Sequence, residues 1–219
     1  MNRRENYFRS VHFQRPSFIH AGVGVLTAAW HRHGRALSDL FEKHLGWTPY
    51  RADDPHIHPD PANVDAQGNY HHRYTDEWGC VIEERVFGIH GMITGHPLSD
   101  WSAIETYRAP AMRESAAALA RERERIARRK REDAVVMLEF LRLFERMQWV
   151  RGETELFVDL ADHADKLQSL ADLIVDHNLS RIQRAIALGA DGVCFSDDWG
   201  SQCALLIRPE LWRAFFKPL

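Results

Sequence analysis

The chain has 219 residues, of which 45% are hydrophobic and 27% charged, with a formal net charge of −3. These values suit a folded globular chain, and the near-neutral balance gives no overall pull toward nucleic acid or an anionic membrane surface. No apolar run approaches the roughly 18 residues that span a bilayer, and the basic start of the chain has no apolar stretch of a secretory leader behind it. The three cysteines, Cys80, Cys194 and Cys203, are odd in number and widely spaced, so no disulfide framework is implied and a cytoplasmic, reducing location is expected.

Residues 3–12 read as a short opening helix, and Pro16 leads into residues 17–23 as a first buried strand. Between about residues 26 and 44, Leu26, Ala29, Trp30, Leu37, Leu40 and Phe41 fall near one face of a helix, and Gly46 closes it. Residues 47–69, rich in Pro, Asp, Asn and His, read as an irregular surface segment. Extended pieces follow over residues 70–74 and 80–87, with turn signals at Gly79 and Gly88. The stretch His96-Pro97-Leu98-Ser99-Asp100-Trp101 reads as a loop that caps a short helix.

Residues 111–132 form a charged helix whose basic end is read as a solvated face with Glu–Arg pairs, because no aromatic side chains interleave to stack on bases. Residues 134–140 are a continuous apolar run, as in a strand buried on both faces of a parallel sheet. Helices are expected through Phe144, Met147 and Val150 to Gly152, and then from Leu167 through Ile186 to Gly189. Residues 190–195 make another short strand, in which Cys194 is a small core residue, and Pro209 starts a last helix. Alternating strands and helices with short connections indicate βαβ units and a parallel sheet. About four such units are expected. A closed (β/α)8 barrel needs roughly 250 residues, so the fold class is α/β, the N-terminal half of a TIM-type barrel. Residues 1–219 are read as one barrel domain truncated at its C-terminal side.

The densest polar cluster, Ser196-Asp197-Asp198-Trp199-Gly200-Ser201-Gln202, follows the last strand. Ligands of α/β folds sit at the carboxyl ends of strands. Adjacent acids there can bind a cation, hold a pyrrole N–H or act as a general base, and they can also simply cap the next turn. A second acidic-aromatic cluster is Thr75-Asp76-Glu77-Trp78-Gly79, for which spacing alone leaves both a turn and a site open. Glu139 lies within an apolar run, where an unpaired carboxylate is unfavourable; it either points into a barrel mouth or pairs with an arginine. His56-Ile57-His58 and His71-His72 lack the further ligands that would complete a metal set. No P-loop, dinucleotide fingerprint or serine nucleophile elbow is present.

Four segments, in order, are together similar to the uroporphyrinogen decarboxylase superfamily. They are Thr75-Asp76-Glu77-Trp78-Gly79-Cys80 with His96-Pro97-Leu98-Ser99-Asp100-Trp101; Leu143-Phe144-Glu145-Arg146 with Arg151-Gly152; Leu188-Gly189-Ala190-Asp191-Gly192 running into Asp197-Asp198-Trp199-Gly200-Ser201-Gln202; and residues 211–218. The match runs from about residue 70 onward. The resemblance implies a (β/α)8 barrel and either tetrapyrrole decarboxylation or corrinoid-dependent methyl transfer. It implies Asp76 as the acidic catalytic residue and places Asp197 to Gly200 on the pocket wall after the fourth strand. With the polar clusters read above, the expected catalytic carboxylates are Asp76, Asp197 and Asp198, and the expected substrate-binding residues Trp78, Glu139, Trp199, Gly200 and Gln202. A carboxylate there can stabilise positive charge on a protonated pyrrole during loss of carbon dioxide.

The decarboxylase's Arg-rich loop has no counterpart before Arg32, and its tyrosine after the third strand falls near Gln148-Trp149. Both departures favour the methyltransferase-like or an uncharacterised branch. The zinc ligands of that branch, a His-x-Cys pair and a later Cys, belong to the second half of the barrel. No metal or cofactor is therefore expected in this chain, zinc and a corrinoid being those of a full-length relative. Expected partners are a tetrapyrrole substrate or a corrinoid protein, with a second copy or a complementary half barrel against the open edges, and neither nucleic acid nor membrane. The competing reading is a non-catalytic half barrel that serves as an interaction module.

Overall fold

The structure, a computed structural model, describes residues 2–162 and 164–219. Asn2 begins the first helix, α1 (Arg3–Val11), by accepting the Glu5 N–H at 2.8 Å. The strand expected over residues 17–23 does not form, and Phe18, Ile19 and Val23 are exposed. Its backbone is satisfied another way. The buried Asn6 side chain accepts the Ser17 N–H at 2.7 Å and donates to the Phe18 carbonyl at 2.8 Å. A side chain thus takes over polar groups that a sheet ladder would have used.

Helix α2 (Thr27–Leu45) bends at Gly34 and ends at Gly46, whose φ of 70° is the left-handed cap that glycine favours. Two single 3-10 turns, Pro55–Ile57 and Pro61–Asn63, each start on an aspartate cap within the irregular segment. Strands β1 (His72–Thr75), β2 (Val81–Glu84) and β3 (Met92–Gly95) follow. Then come α3 (Ala116–Arg131), β4 (Met137–Leu141), α4 (Phe144–Arg151), α5 (Glu153–Asp162), α6 (Ala164–Leu188) and β5 (Gly192–Phe195). A short helix, α7 (Pro209–Leu211), runs into a π-type turn over Trp212–Phe216.

The chain divides into two units, Gly22–His96 and the rest, Met1–Ala21 with Pro97–Leu219. In the smaller unit, β1, β2 and β3 form an antiparallel sheet in that order, and Trp30, Phe41 and Ile57 make a separate buried cluster under α2. The segment after β2 passes close to the start of α2. A Cβ at Gly88 would lie 2.3 Å from the Ala28 nitrogen, so only glycine fits there.

In the larger unit, β4 and β5 pair in parallel, with α4, α5 and α6 between them in sequence. Phe144, Met147, Val150, Leu156, Leu167, Leu170, Ala171 and Ile174 are fully buried and form the inner faces of those helices. Arg151, itself buried, binds the Asp159 carboxylate at 2.6 Å and the Leu98 carbonyl at 2.8 Å, while the Trp101 indole donates to the same aspartate at 3.0 Å. This network ties the loop at residues 97–101 to α4 and α5.

The fold is therefore mixed α/β. Its sheets are small, of three and two strands, and neither is closed. One parallel strand pair stands, among the described residues, where about four βα units are expected. The first half of the chain places its strands in an antiparallel sheet, because each is joined to the next by a connection too short for a crossover helix. The run at 134–140 is also not buried on both faces: Met137 and Phe140 are 40% and 62% exposed, and Phe195 beside them 68%. No helix among the described residues is long and apolar enough to cross a membrane.

Asp191, just ahead of β5, receives Arg4, Lys130 at 2.8 Å and the Val136 N–H at 2.9 Å, and its side chain is 5% exposed. Burial pushes its carboxyl up, but the bonds from Arg4, Lys130 and Val136 outweigh it and hold the group well below the usual carboxylate range. The stabilisation is present above the unfolded-state value near 3.8 and is lost as pH falls through the lower folded value. Asp191→Ala is expected to lower unfolding stability at pH 7 by roughly 3 kcal/mol, the low end for a buried pair because both cations are partly solvated. Urea titrations at pH 7 and at pH 3 should show the gap between variant and parent narrowing in acid.

Candidate functional site

The carboxyl ends of β4 and β5 open side by side. β4 leads into Arg142, Leu143 and then α4; β5 leads into Ser196, Asp197 and Asp198. Asp197 reaches across to the start of α4. Its carboxylate accepts the Leu143 N–H at 3.1 Å and the Glu145 N–H at 3.0 Å. Leu143 has no side chain that can cap α4, so a carboxylate from the neighbouring strand end does it, where the helix dipole favours negative charge. Asp198 is exposed and accepts the Gly200 N–H at 3.1 Å.

Glu145 completes the carboxylate group. It lies in the first turn of α4, its side chain 21% exposed, and accepts from Arg142 Nε at 2.9 Å. Burial pushes its carboxyl above the usual range, the Arg142 charge pulls it back, and Asp197 and Asp198 push it further up. The Arg142 guanidinium also sits 5.3 Å from the Trp149 ring centre, which fixes its direction. The site therefore combines a carboxyl that keeps its proton above the ordinary range, two further acids and one cation. Such a set can deliver a proton and stabilise a cation that forms beside it.

An aromatic wall adjoins it. Trp199 stacks on the buried Phe144 with ring centres 4.3 Å apart, and Phe216 and Trp212 meet it edge-on. Trp199, Leu205, Ile207, Pro209 and Trp212 enclose an apolar cavity of about 190 Å³. Gly200 pairs with Leu205 as the chain turns back, which leaves Gln202 exposed at the tip of the turn.

The other expected residues lie elsewhere. Asp76 shapes the β1–β2 turn, where its carboxylate accepts the Trp78 N–H at 2.9 Å and the Cys80 N–H at 2.8 Å; Trp78 is buried. Both belong to the Gly22–His96 unit, so the structure does not join them to the Asp197 group. Glu139, of the two roles open to it, takes the ion pair. Its carboxylate meets Arg181 at 2.7 Å and Arg184 at 3.0 Å, both from α6. Its backbone has a φ of 60° where the β4–β5 register shifts, a conformation that costs a non-glycine residue about 1 kcal/mol.

Sequence reasoning gave no role to Arg142 and quoted Glu145 only as part of the Leu143-Phe144-Glu145-Arg146 segment. Their signal is positional: both follow directly on a strand that ends beside Asp197. Among the described residues no cluster of His, Cys, Asp and Glu is placed to hold a metal ion. Comparison with protein families, with curated proteins and with solved structures finds no match to this chain.

Because Asp198 helps to push the Glu145 carboxyl up, Asp198→Asn is expected to lower the Glu145 titration midpoint toward the ordinary 4.5. Carboxyl carbon NMR with selective glutamate labelling would follow it. A midpoint that does not move would mean that the two charges do not communicate.

Proposed function

We propose that the chain is a half barrel of the uroporphyrinogen decarboxylase superfamily, acting on a tetrapyrrole or docking a methyl-corrinoid protein at the ends of β4 and β5. The observation that carries this reading is the placement of Glu145, Asp197 and Asp198 at the C-terminal ends of two parallel strands, beside the flat face of Trp199. Sites of barrel enzymes occupy that position. The order of the sequence motifs supports the family, and the open edge of the parallel pair is what half a barrel leaves.

In the decarboxylase form of the reading, Glu145 gives its proton to a pyrrole ring carbon, which leaves the ring cationic. The bond to the departing carboxylate then breaks, carbon dioxide leaves, and the bond's electron pair neutralises the ring. The new exocyclic carbon takes a proton from water, and the ring carbon returns its own proton to Glu145. Asp197 and Asp198 stabilise the cation in between. In the methyltransferase form, Trp199 offers apolar area to the corrin face. Zinc finds no ligand set among the described residues. The reading places the chain in the reducing cytoplasm, consistent with three free thiols at Cys80, Cys194 and Cys203.

A second reading, a non-catalytic module that pairs with a second copy or a complementary half, rests on a different observation. Phe140 and Phe195 are more than 60% exposed on adjacent strands, and the Asp197 carboxylate is already engaged in capping α4. The two readings separate in one assay. The purified chain is incubated with uroporphyrinogen, and separately with methylcobalamin and a thiol. Carbon dioxide release or cobalt–carbon cleavage, reduced about 100-fold by Glu145→Gln, is the expected result. No product from either, together with dimers in light scattering that Phe140→Ser/Phe195→Ser dissolves, would select the module instead.

A further inference from the structure

The Gly22–His96 unit contains a second, larger cavity that has no part in the strand-end site. Its volume is about 880 Å³, within the range of small-molecule sites. His31, Arg32 and His33 enter it from α2, Arg85 enters from the end of β2, and no Asp or Glu is among the lining residues. Among the described residues, Arg32 and His33 make no hydrogen bond or ion pair. Arg85 is oriented by Glu83, which stands outside the lining, and its planar fork retains further donors. Cationic and protonatable groups gathered round one space repel one another unless an anion lies between them.

The rest of the wall is apolar and held in place. Phe87 sits edge-on between Tyr70, at 5.6 Å, and His31, at 5.3 Å between ring centres. His31 Nδ1 lies 3.0 Å from the Ile57 carbonyl, an acceptor only, so that nitrogen carries the proton and the ring cannot swing. The Tyr70 hydroxyl is engaged by Glu84 at 3.1 Å, and burial with that partner pushes it up to about 12, so the phenol adds no negative charge. Leu26, Val86 and Ile89 line the same space and are 64%, 53% and 43% exposed, apolar surface left for a ligand to cover.

We propose that this cavity binds a small amphiphilic anion, a carboxylate or phosphate carried on an aromatic or branched apolar body. Arg32 and Arg85 hold the head group, His33 stands beside them, and the body lies against Phe87 and Leu26. Arginine suits this role because its fork matches the two oxygens of either head group. The proposal stands on this unit alone and does not depend on the tetrapyrrole reading.

The test is calorimetric titration of the full chain with phenyl phosphate, 3-phenylpropionate and the neutral 3-phenylpropan-1-ol. At least one anion should saturate, about tenfold or more tighter than the alcohol, as expected for charge-assisted bonds in a partly solvated site. The tighter of the two head groups identifies which anion the cavity serves. Arg32→Gln and Arg85→Gln should each weaken that anion about tenfold, while Arg129→Gln, on the exposed face of α3, leaves it unchanged. Both cavity arginines are exposed, and an unchanged thermal transition by circular dichroism verifies that the variants fold. Equal affinity for the alcohol, no saturable binding by either anion, or full affinity in the Arg32→Gln/Arg85→Gln double variant would overturn the proposal.

Discussion

A carboxylate at each end of β5 clamps it to the chain that flanks β4. Asp191, ahead of β5, accepts the Val136 N–H, and its own N–H bonds the Val136 carbonyl at 2.8 Å. Asp197, beyond β5, accepts the Leu143 and Glu145 N–H groups on the far side of β4. A two-stranded parallel ladder is weak by itself, since neither outer edge is paired. With both ends held, the register of the pair is fixed, and so is the place of Asp197 at the start of α4. The site depends on that pairing more than on any residue within it.

The clamp also explains how the strand tolerates Glu139. The residue is extra in the register of β4, and its left-handed backbone turns the side chain toward α6, where Arg181 and Arg184 neutralise it. Arg184 reaches on to Glu114, so a line of alternating charge joins β4, α6 and the segment ahead of α3. A single unpaired charge in that layer would be strongly unfavourable, and the alternation removes it. The charged side of the strand is thus structural.

The two units divide the polar surface into two kinds. At the strand ends, acids predominate beside aromatic rings, which suits a cation or a cation-forming intermediate. In the Gly22–His96 unit, arginine and histidine line the larger cavity without a carboxylate, which suits an anion.

Local order was legible in the sequence wherever near neighbours decide it. Helical periodicity set α2, α4 and α6, glycines at 46 and 189 closed their helices with positive φ, Asp100 capped a turn that includes Trp101, and the apolar runs marked β4 and β5. The strand expected at residues 17–23 failed because Asn6, eleven residues away, took its backbone groups, a competition that no window of local sequence reveals. Asp197 and Asp198 were visible as a polar cluster after a strand. That Asp197 caps α4 and that Glu139 pairs with α6 depended on partners 42 to 54 residues away, and burial in the folded chain is what chiefly pushes the Glu145 carboxyl up. The same holds for the basic cavity, whose arginines lie more than fifty residues apart in α2 and after β2. Sequence by itself determined the elements, because propensity, capping and periodicity act within a few turns of chain. Only the tertiary structure decided which charges meet, because pairing and desolvation act through space.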